Sequence, residues 1–259
     1  MISAESIARI ESSPGWRTRR VEVFDLPEGK VLVKGQRARR SPWPHRVLNA
    51  LARLLAVDYL KAVPVHGGAR SQTIELTRLR ALAASGVPVP DVLHVTDDYF
   101  VMTYLGATDL AVTLREQGMQ AFELWKAALE QLLAVHTAGQ YLSQCFARNM
   151  IVSQKFEGLI DFEDDPLEVM TLVEAQARDW LVFLQSSLWN LAAPSAVVDA
   201  ALGNVLARES AAVRAMLHHA ARRLAWLRWL PANRKVWGKD FVSLQLVAAV
   251  LHRHDFSGT

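Results

Sequence analysis

The sequence predicts an α+β fold in two parts: a small, basic, β-rich part over residues 1–105 and a larger helical part over residues 106–259. Three observations predict it. Short alternating apolar runs occupy much of the first hundred residues, apolar positions recur at helical spacing through most of the rest, and Leu105-Gly106 separates the two patterns.

Taken in order, Arg20-Val-Glu-Val-Phe24 and Lys30-Val-Leu-Val-Lys-Gly35 alternate as strands, and Leu26-Pro-Glu-Gly29 supplies the turn of a hairpin. Arg37, Arg39, Arg40 and the breaker Pro42-Trp-Pro44 precede a helix over 46–57, with Val47, Leu48, Leu51, Leu54 and Leu55 on one side and Arg46 and Arg53 on the other. A core-facing helix is favoured there over one lying on a membrane surface. After Gly67-Gly68, Ser71 to Ser85 carries the stripe Ile74, Leu76, Leu79, Leu82 and ends at Gly86, a C-cap residue. Val87-Pro-Val-Pro90 forces an extended exit into strands Val92–Val95 and Tyr99–Tyr104, joined by Thr96-Asp-Asp98. From Met119 onward the pattern is helical, interrupted by strands near Met150–Val152 and Gly158–Asp161.

At 259 residues with 51% apolar content the chain can bury a sizeable core without staples. Its single cysteine, Cys145, forms no internal disulfide, and Met-Ile-Ser-Ala-Glu-Ser lacks the features of a secretory signal, so a reducing, cytoplasmic setting is expected. The apolar stretch Trp180–Ala207 is interrupted by Gln185, Asn190, Pro194 and Asp199, which excludes a spanning helix. Net charge is +3, yet residues 1–90 hold 15 Lys or Arg against 7 Asp or Glu, a balance of +8 that leaves −5 for the remainder. Such asymmetry suits an anionic partner, a nucleotide, a lipid headgroup such as those of an inner membrane surface, or nucleic acid, as well as a merely solvated face.

Four separated pieces carry the chemistry. Lys34 ends an alternating strand, Glu75 lies in the first turns of the helix that ends at Gly86, Val101-Met-Thr-Tyr-Leu-Gly106 forms a hinge, and His136…Gln144…Asn149 is followed twelve residues on by Asp161-Phe-Glu163. In this order they resemble the protein-kinase-like superfamily, and are most similar to aminoglycoside phosphotransferases, choline kinase-like enzymes and bacterial lipopolysaccharide core kinases. The resemblance covers roughly residues 20–185. It implies a two-lobed protein-kinase-like fold with a β-rich N-lobe and a helical C-lobe, ATP and Mg2+ as cofactors, and phosphoryl transfer to a hydroxyl of a small molecule or lipid-linked sugar. Lys34 would pair with the phosphates and with Glu75, the nucleotide would sit at Thr103, Tyr104 and Leu105, and Asn149 and Asp161 would hold the metal. His136 and Asp179 would be structural, Asp179 holding the catalytic loop.

Gln144 stands where the family places its catalytic Asp. An amide orients a hydroxyl but takes no proton at neutral pH. The alternative is therefore a catalytically inactive, nucleotide-binding pseudokinase acting as a regulatory module. A base supplied from elsewhere would be sought first among Glu163, Asp164 and Asp165. That acidic run, with Asp161, needs a compensating cation, for which magnesium is the candidate. No Gly-x-Gly-x-x-Gly loop precedes Lys34, so phosphate cover would come from the Leu26–Gly29 turn or elsewhere, and D-F-E, similar to the choline kinase pattern, points away from protein substrates. No second His or Cys lies at zinc-ligand spacing from His136. Toward the C-terminus, Arg214, Arg222, Arg223, Arg228 and Arg234 alternate with Trp226, Trp229 and Trp237. A packed helix with aromatic core contacts is favoured there over a membrane or nucleic-acid stripe.

Overall fold

The structure is a computed structural model that describes residues 2–36, 61, 63–116, 118, 121–231 and 234–254. The helix expected over 46–57, the Pro42-Trp-Pro44 breaker and the arginines at 37, 39, 40, 46 and 53 lie outside the described residues, as does the side chain of Trp237.

The chain is α+β. Two helices, α1 (Ala4–Ser12) and α2 (Gly15–Arg19), precede the first hairpin, β1 (Val21–Leu26) and β2 (Gly29–Gly35). The elements expected from sequence begin only at Arg20, after these two helices. The reason for them is packing: Ile2, Ile10 and Trp16 bury against Phe24, Val31, Val33, Tyr99 and Val101 on one face of the sheet. With β3 (Val92–Val95) and β4 (Tyr99–Thr103), the hairpin forms an antiparallel sheet in the order β1-β2-β4-β3. Strand alternation puts Leu32 and Lys34 on the other face beside Phe100 and Met102, toward helix α3 (Gly68–Ala84).

α3 ends at Ser85, with Gly86 at φ 76°, the left-handed residue expected of a C-cap. Its buried face departs from the expected stripe. Ile74 is only half-buried, while Glu75 and Arg78 join Leu76, Leu79 and Leu82 inside. Two charged residues occupy core positions because each meets an opposite charge or a carbonyl there, as described below.

Helices fill the rest: α4 (Leu110–Glu116), α5 (Ala121–Thr137), α6 (Leu172–Ser187), α7 (Ser195–Leu206), α8 (Ala211–Leu224) and α9 (Arg234–Arg253), the last broken at Gly238. Helical structure thus begins before Met119. Asp109 Oδ1 accepts the Val112 amide (2.9 Å) at the start of α4, and Leu110 and Leu114 bury beneath it. Trp125, Leu129, Trp180 and Phe183 lie at the centre of the main core. The small hairpin β5 (Met150–Val152) and β6 (Phe156–Leu159) interrupts the helices. β6 is shifted from the expected 158–161, because Asp161 leaves the strand direction with φ 72°. Gly158 permits the close approach of this hairpin to the hinge: a Cβ there would meet Leu105 Cδ1 at 2.7 Å and the Pro88 carbonyl oxygen at 2.8 Å.

No helix among the described residues is long and apolar enough to cross a membrane. Trp226 and Trp229 correct the expected aromatic core contacts. They lie in a 3-10 turn (Ala225–Trp229) that turns Leu227 inward and leaves both indoles exposed, with Arg228 over the Trp229 ring.

Candidate active site

Lys34 is the meeting point of three distant segments. Its ammonium, 6% exposed with the rest of the residue, lies 2.6 Å from Glu75 Oε1, 2.8 Å from Glu163 Oε1 and 3.2 Å from Asp161 Oδ1. β2 alternation aims the lysine at α3, the helical repeat puts Glu75 on the α3 face that carries Leu79 and Leu82, and the exit from β6 brings Asp161 and Glu163. Arg20, at the left-handed junction between α2 and β1, donates to Glu163 and, through Nε, to the Gly35 carbonyl (3.2 Å). Counting Arg20, the cluster holds three carboxylates and two cations, a surplus of one negative charge.

Burial works against the charged ammonium of Lys34, but Glu75, then Asp161 and Glu163, outweigh it and raise its pKa above the ordinary lysine value. Burial would raise Glu163 too, yet Lys34 and Arg20 hold it at about 2. Glu75 is pushed upward by burial, with Lys34 opposing.

Glu75, Asp161 and Glu163 each offer an oxygen within 4.8 Å of the others, a spacing that suits a metal ion. The Lys34 ammonium already fills that spacing. The compensating cations for the acidic run are therefore, in the first instance, protein groups: Lys34 and Arg20 for Asp161 and Glu163. Asp165 accepts from the Tyr141 hydroxyl (2.7 Å) and from the Leu167 amide (3.0 Å).

Of the expected metal ligands, Asp161 is partly exposed and Asn149 is buried. The β5–β6 register pairs Met150 with Leu159, and the Ile160 amide donates to the Asn149 carbonyl (2.9 Å), so Asn149 lies across from the residue before Asp161. Asn149 Nδ2 donates to the Gln144 carbonyl (2.9 Å), which commits the amide nitrogen and leaves Oδ1 without a hydrogen bond among the described residues. Asp161 spends Oδ1 on Lys34, and Oδ2 takes no hydrogen bond among them. These two oxygens suit a hard cation. Asp161 reaches this position in the left-handed region, a strained conformation for a non-glycine residue of the kind found at functional sites.

Gln144 faces Asp164, its Nε2 donating to Oδ2 at 3.0 Å. Because a carboxylate only accepts, the amide nitrogen must be the atom turned toward it, and Gln144 Oε1 keeps no partner among the described residues. The loop is fixed from below and from the side. Asp179, fully buried, accepts the Leu142 amide (2.7 Å), Arg178 donates to the Ser143 carbonyl (3.1 Å), and Arg78 of α3 donates to the Tyr141 carbonyl (2.7 Å) while stacking 3.7 Å over the Tyr141 ring. His136 is not a metal ligand here: its Nδ1 meets Glu209 at 2.7 Å and its Nε2 lies 3.5 Å from Asp179 Oδ2, an ion-pair distance. α3 thus serves two centres, Glu75 to Lys34 and Arg78 to the loop.

The hinge is less open than expected. The Thr103 amide donates to Asp91 (3.0 Å) and the Tyr104 amide to Lys30 (3.2 Å), so of Thr103, Tyr104 and Leu105 only Leu105 keeps an amide uncommitted among the described residues. The β1–β2 turn, one expected source of phosphate cover, carries a carboxylate. Its Glu28 carboxylate accepts from the Ser3 amide and the Ser6 hydroxyl, both at 2.8 Å, and these bonds, with that of the Ser3 side chain, hold it down to about 2. An anionic turn tied to α1 repels phosphate. A cation of the Lys34 cluster that sequence reasoning missed is Arg20; its signal was the Arg17–Arg20 cluster just before the first strand.

No protein-family model and no curated protein sequence matches this chain.

Proposed function

We propose that the protein is an atypical ATP-dependent phosphotransferase with a two-lobed, protein-kinase-like arrangement, the N-lobe over 1–105 and the helical C-lobe over 106–259. The observation that carries this reading is the convergence on the Lys34 ammonium of Glu75 and Asp161, residues 41 and 127 positions away in the chain. A lysine held by a helix glutamate and facing a second carboxylate at the cleft edge is the arrangement that positions nucleotide phosphates in kinase-like enzymes.

In this reading Asn149 Oδ1 and Asp161 Oδ2 hold magnesium, which neutralises the phosphate charge. Lys34, and Arg20 beside it, orient the phosphates, and the Leu105 amide is the hinge donor left for the base. Gln144, kept in place by Asp164, presents Oε1 to the acceptor hydroxyl and accepts its hydrogen bond without taking its proton. Asp164 is the carboxylate in direct contact with Gln144, through Nε2 at 3.0 Å.

A second reading, a nucleotide-binding pseudokinase, is favoured by Gln144 itself. Single-turnover phosphoryl transfer or ATP hydrolysis by wild type, Gln144→Ala, Gln144→Asp and Asp164→Asn separates the two. The phosphotransferase reading expects magnesium-dependent turnover that falls about 100-fold or more in Asp164→Asn if the carboxylate serves as base, and falls in Gln144→Ala. Turnover absent from wild type but gained by Gln144→Asp favours the pseudokinase. Equal rates in all four proteins contradict the assignment of this loop.

A further inference from the structure

Beside the Gln144–Asn149 loop lies a cavity of about 330 Å³, walled by α4, the end of α6 and the turn after it. Its size falls in the range of small-molecule sites, about 300–1,000 Å³. Phe146 and Arg148 enter it from the loop, Arg115 from α4, and Gln185, Trp189 and Asn190 from the opposite wall. Ala147, between Phe146 and Arg148, is pinned through its amide to Ser186 Oγ (2.9 Å). Arg148 stacks over the Phe146 ring at 4.2 Å, which preorganises the guanidinium.

Four polar side chains here have no partner for their hydrogen-bonding groups among the described residues: Arg115, Arg148, Gln185 and Asn190. Asp109, the one carboxylate among the described residues of the lining, spends Oδ1 on the Val112 amide, and Ser243 of α9 completes the wall. Among the described residues the lining therefore keeps a surplus of one positive charge. Two guanidinium groups suit a carboxylate or phosphate, which they bind bidentately. Two side-chain amides, each both donor and acceptor, suit hydroxyls. The aromatic faces of Phe146 and Trp189 suit the apolar face of a saturated ring.

We propose that this cavity binds the acceptor, an anionic, polyhydroxylated molecule of the sugar-acid or sugar-phosphate class. The inference deepens the phosphotransferase reading and rests on it for the role of acceptor, though not for the binding. Phe146, in the cavity wall, is two residues from Gln144, so their backbones lie no more than about 7 Å apart, although Gln144 itself does not line the cavity.

The test is calorimetry without nucleotide, using glucuronate, glucose 6-phosphate, glucose and inorganic phosphate as probes. Glucuronate or glucose 6-phosphate should bind at least roughly tenfold more tightly than glucose or phosphate, and the two anionic probes distinguish a carboxylate from a phosphate as the recognised group. The double substitution Arg115→Gln, Arg148→Gln should weaken that binding at least roughly tenfold. Both arginines are exposed, so its melting temperature should match wild type. Glucose binding as well as the anions, equal binding by the double variant, or no binding of any probe at millimolar concentration overturns the proposal. If a sugar anion binds and ATP does not, the cavity stands and the phosphotransferase reading falls. If magnesium–ATP binds and no sugar anion does, the cavity proposal falls alone.

Discussion

His136 lies between Asp179 and Glu209 much as Lys34 lies among Glu75, Asp161 and Glu163, yet the two networks differ at their margins. The side chains of His136, Asp179 and Glu209 are 1%, 0% and 3% exposed, and Trp180 Nε1 donates to Glu209 (2.8 Å) from the side. Around Lys34 the corresponding values are 2% for Glu75 and 1% for Glu163, but 30% for Asp161. The first network is sealed and spends its hydrogen bonds on a loop and a helix. The second ends at an oxygen facing outward. What separates the two networks is the uncommitted, partly exposed Asp161 oxygen at the edge of the second, the feature on which the proposed site rests.

Breaking the sealed network should have the largest effect. His136→Leu leaves Asp179 and Glu209 buried without their cation, and removing one partner of such a group costs about 3–5 kcal/mol. Thermal denaturation should register a fall of roughly 10 °C in a chain of this size. A loss below about 1 kcal/mol would mean that the network is hydrated and the contrast with Lys34 is false.

The networks should also fail at opposite ends of the pH scale. Glu163 has a folded value of about 2 against an ordinary 4.5, so its contribution is complete above pH 4.5 and is lost as pH falls toward 2. At 1.36 kcal/mol per unit this is about 3 kcal/mol. Glu163→Gln should flatten the acid limb of a stability profile. For His136, burial alone would lower the pKa, but Asp179 and Glu209 raise it above 6.5. Its contribution is complete below pH 6.5 and is lost as pH rises through the raised folded value. Chemical denaturation across pH should show both limbs, with the alkaline one absent from a His136→Gln variant.

The smallest expected effect is at the exposed indoles. Trp229 is 78% exposed, with Arg228 over its ring, so Trp229→Ser should change stability by less than about 0.5 kcal/mol. A larger loss would show that this turn packs against something the present contacts do not account for.

What the sequence made legible was periodicity and spacing. Alternation in Val31–Lys34 placed Lys34 opposite Val31 and Val33, and the helical repeat placed Glu75 with Leu79 and Leu82, so their meeting with Asp161 followed from the order of motifs. Pairings depended on geometry that no period encodes. That Arg20 would cap Glu163, that Arg78 would clamp Tyr141, and that Gln144 would turn its amide nitrogen to Asp164 required knowing which loops lie side by side. The acidic run 161–165 was readable as needing cations; that Lys34 and Arg20 supply them was not. α1 and α2 went unread because their apolar residues are few, and they form through burial of Ile10 and Trp16 against the sheet. At the hinge, too, the pairing of the Thr103 and Tyr104 amides with the Asp91 and Lys30 carbonyls depends on which segments lie side by side.

The central claim is that the open edge at Asp161 is where metal and nucleotide bind. Calorimetric titration of ATP into wild type and Asp161→Asn, each with and without magnesium, tests it most directly. The account predicts binding by wild type that requires magnesium and weakens at least roughly tenfold in Asp161→Asn. ATP binding that is indifferent both to magnesium and to Asp161→Asn, or no binding to folded wild type at millimolar ATP, would contradict it.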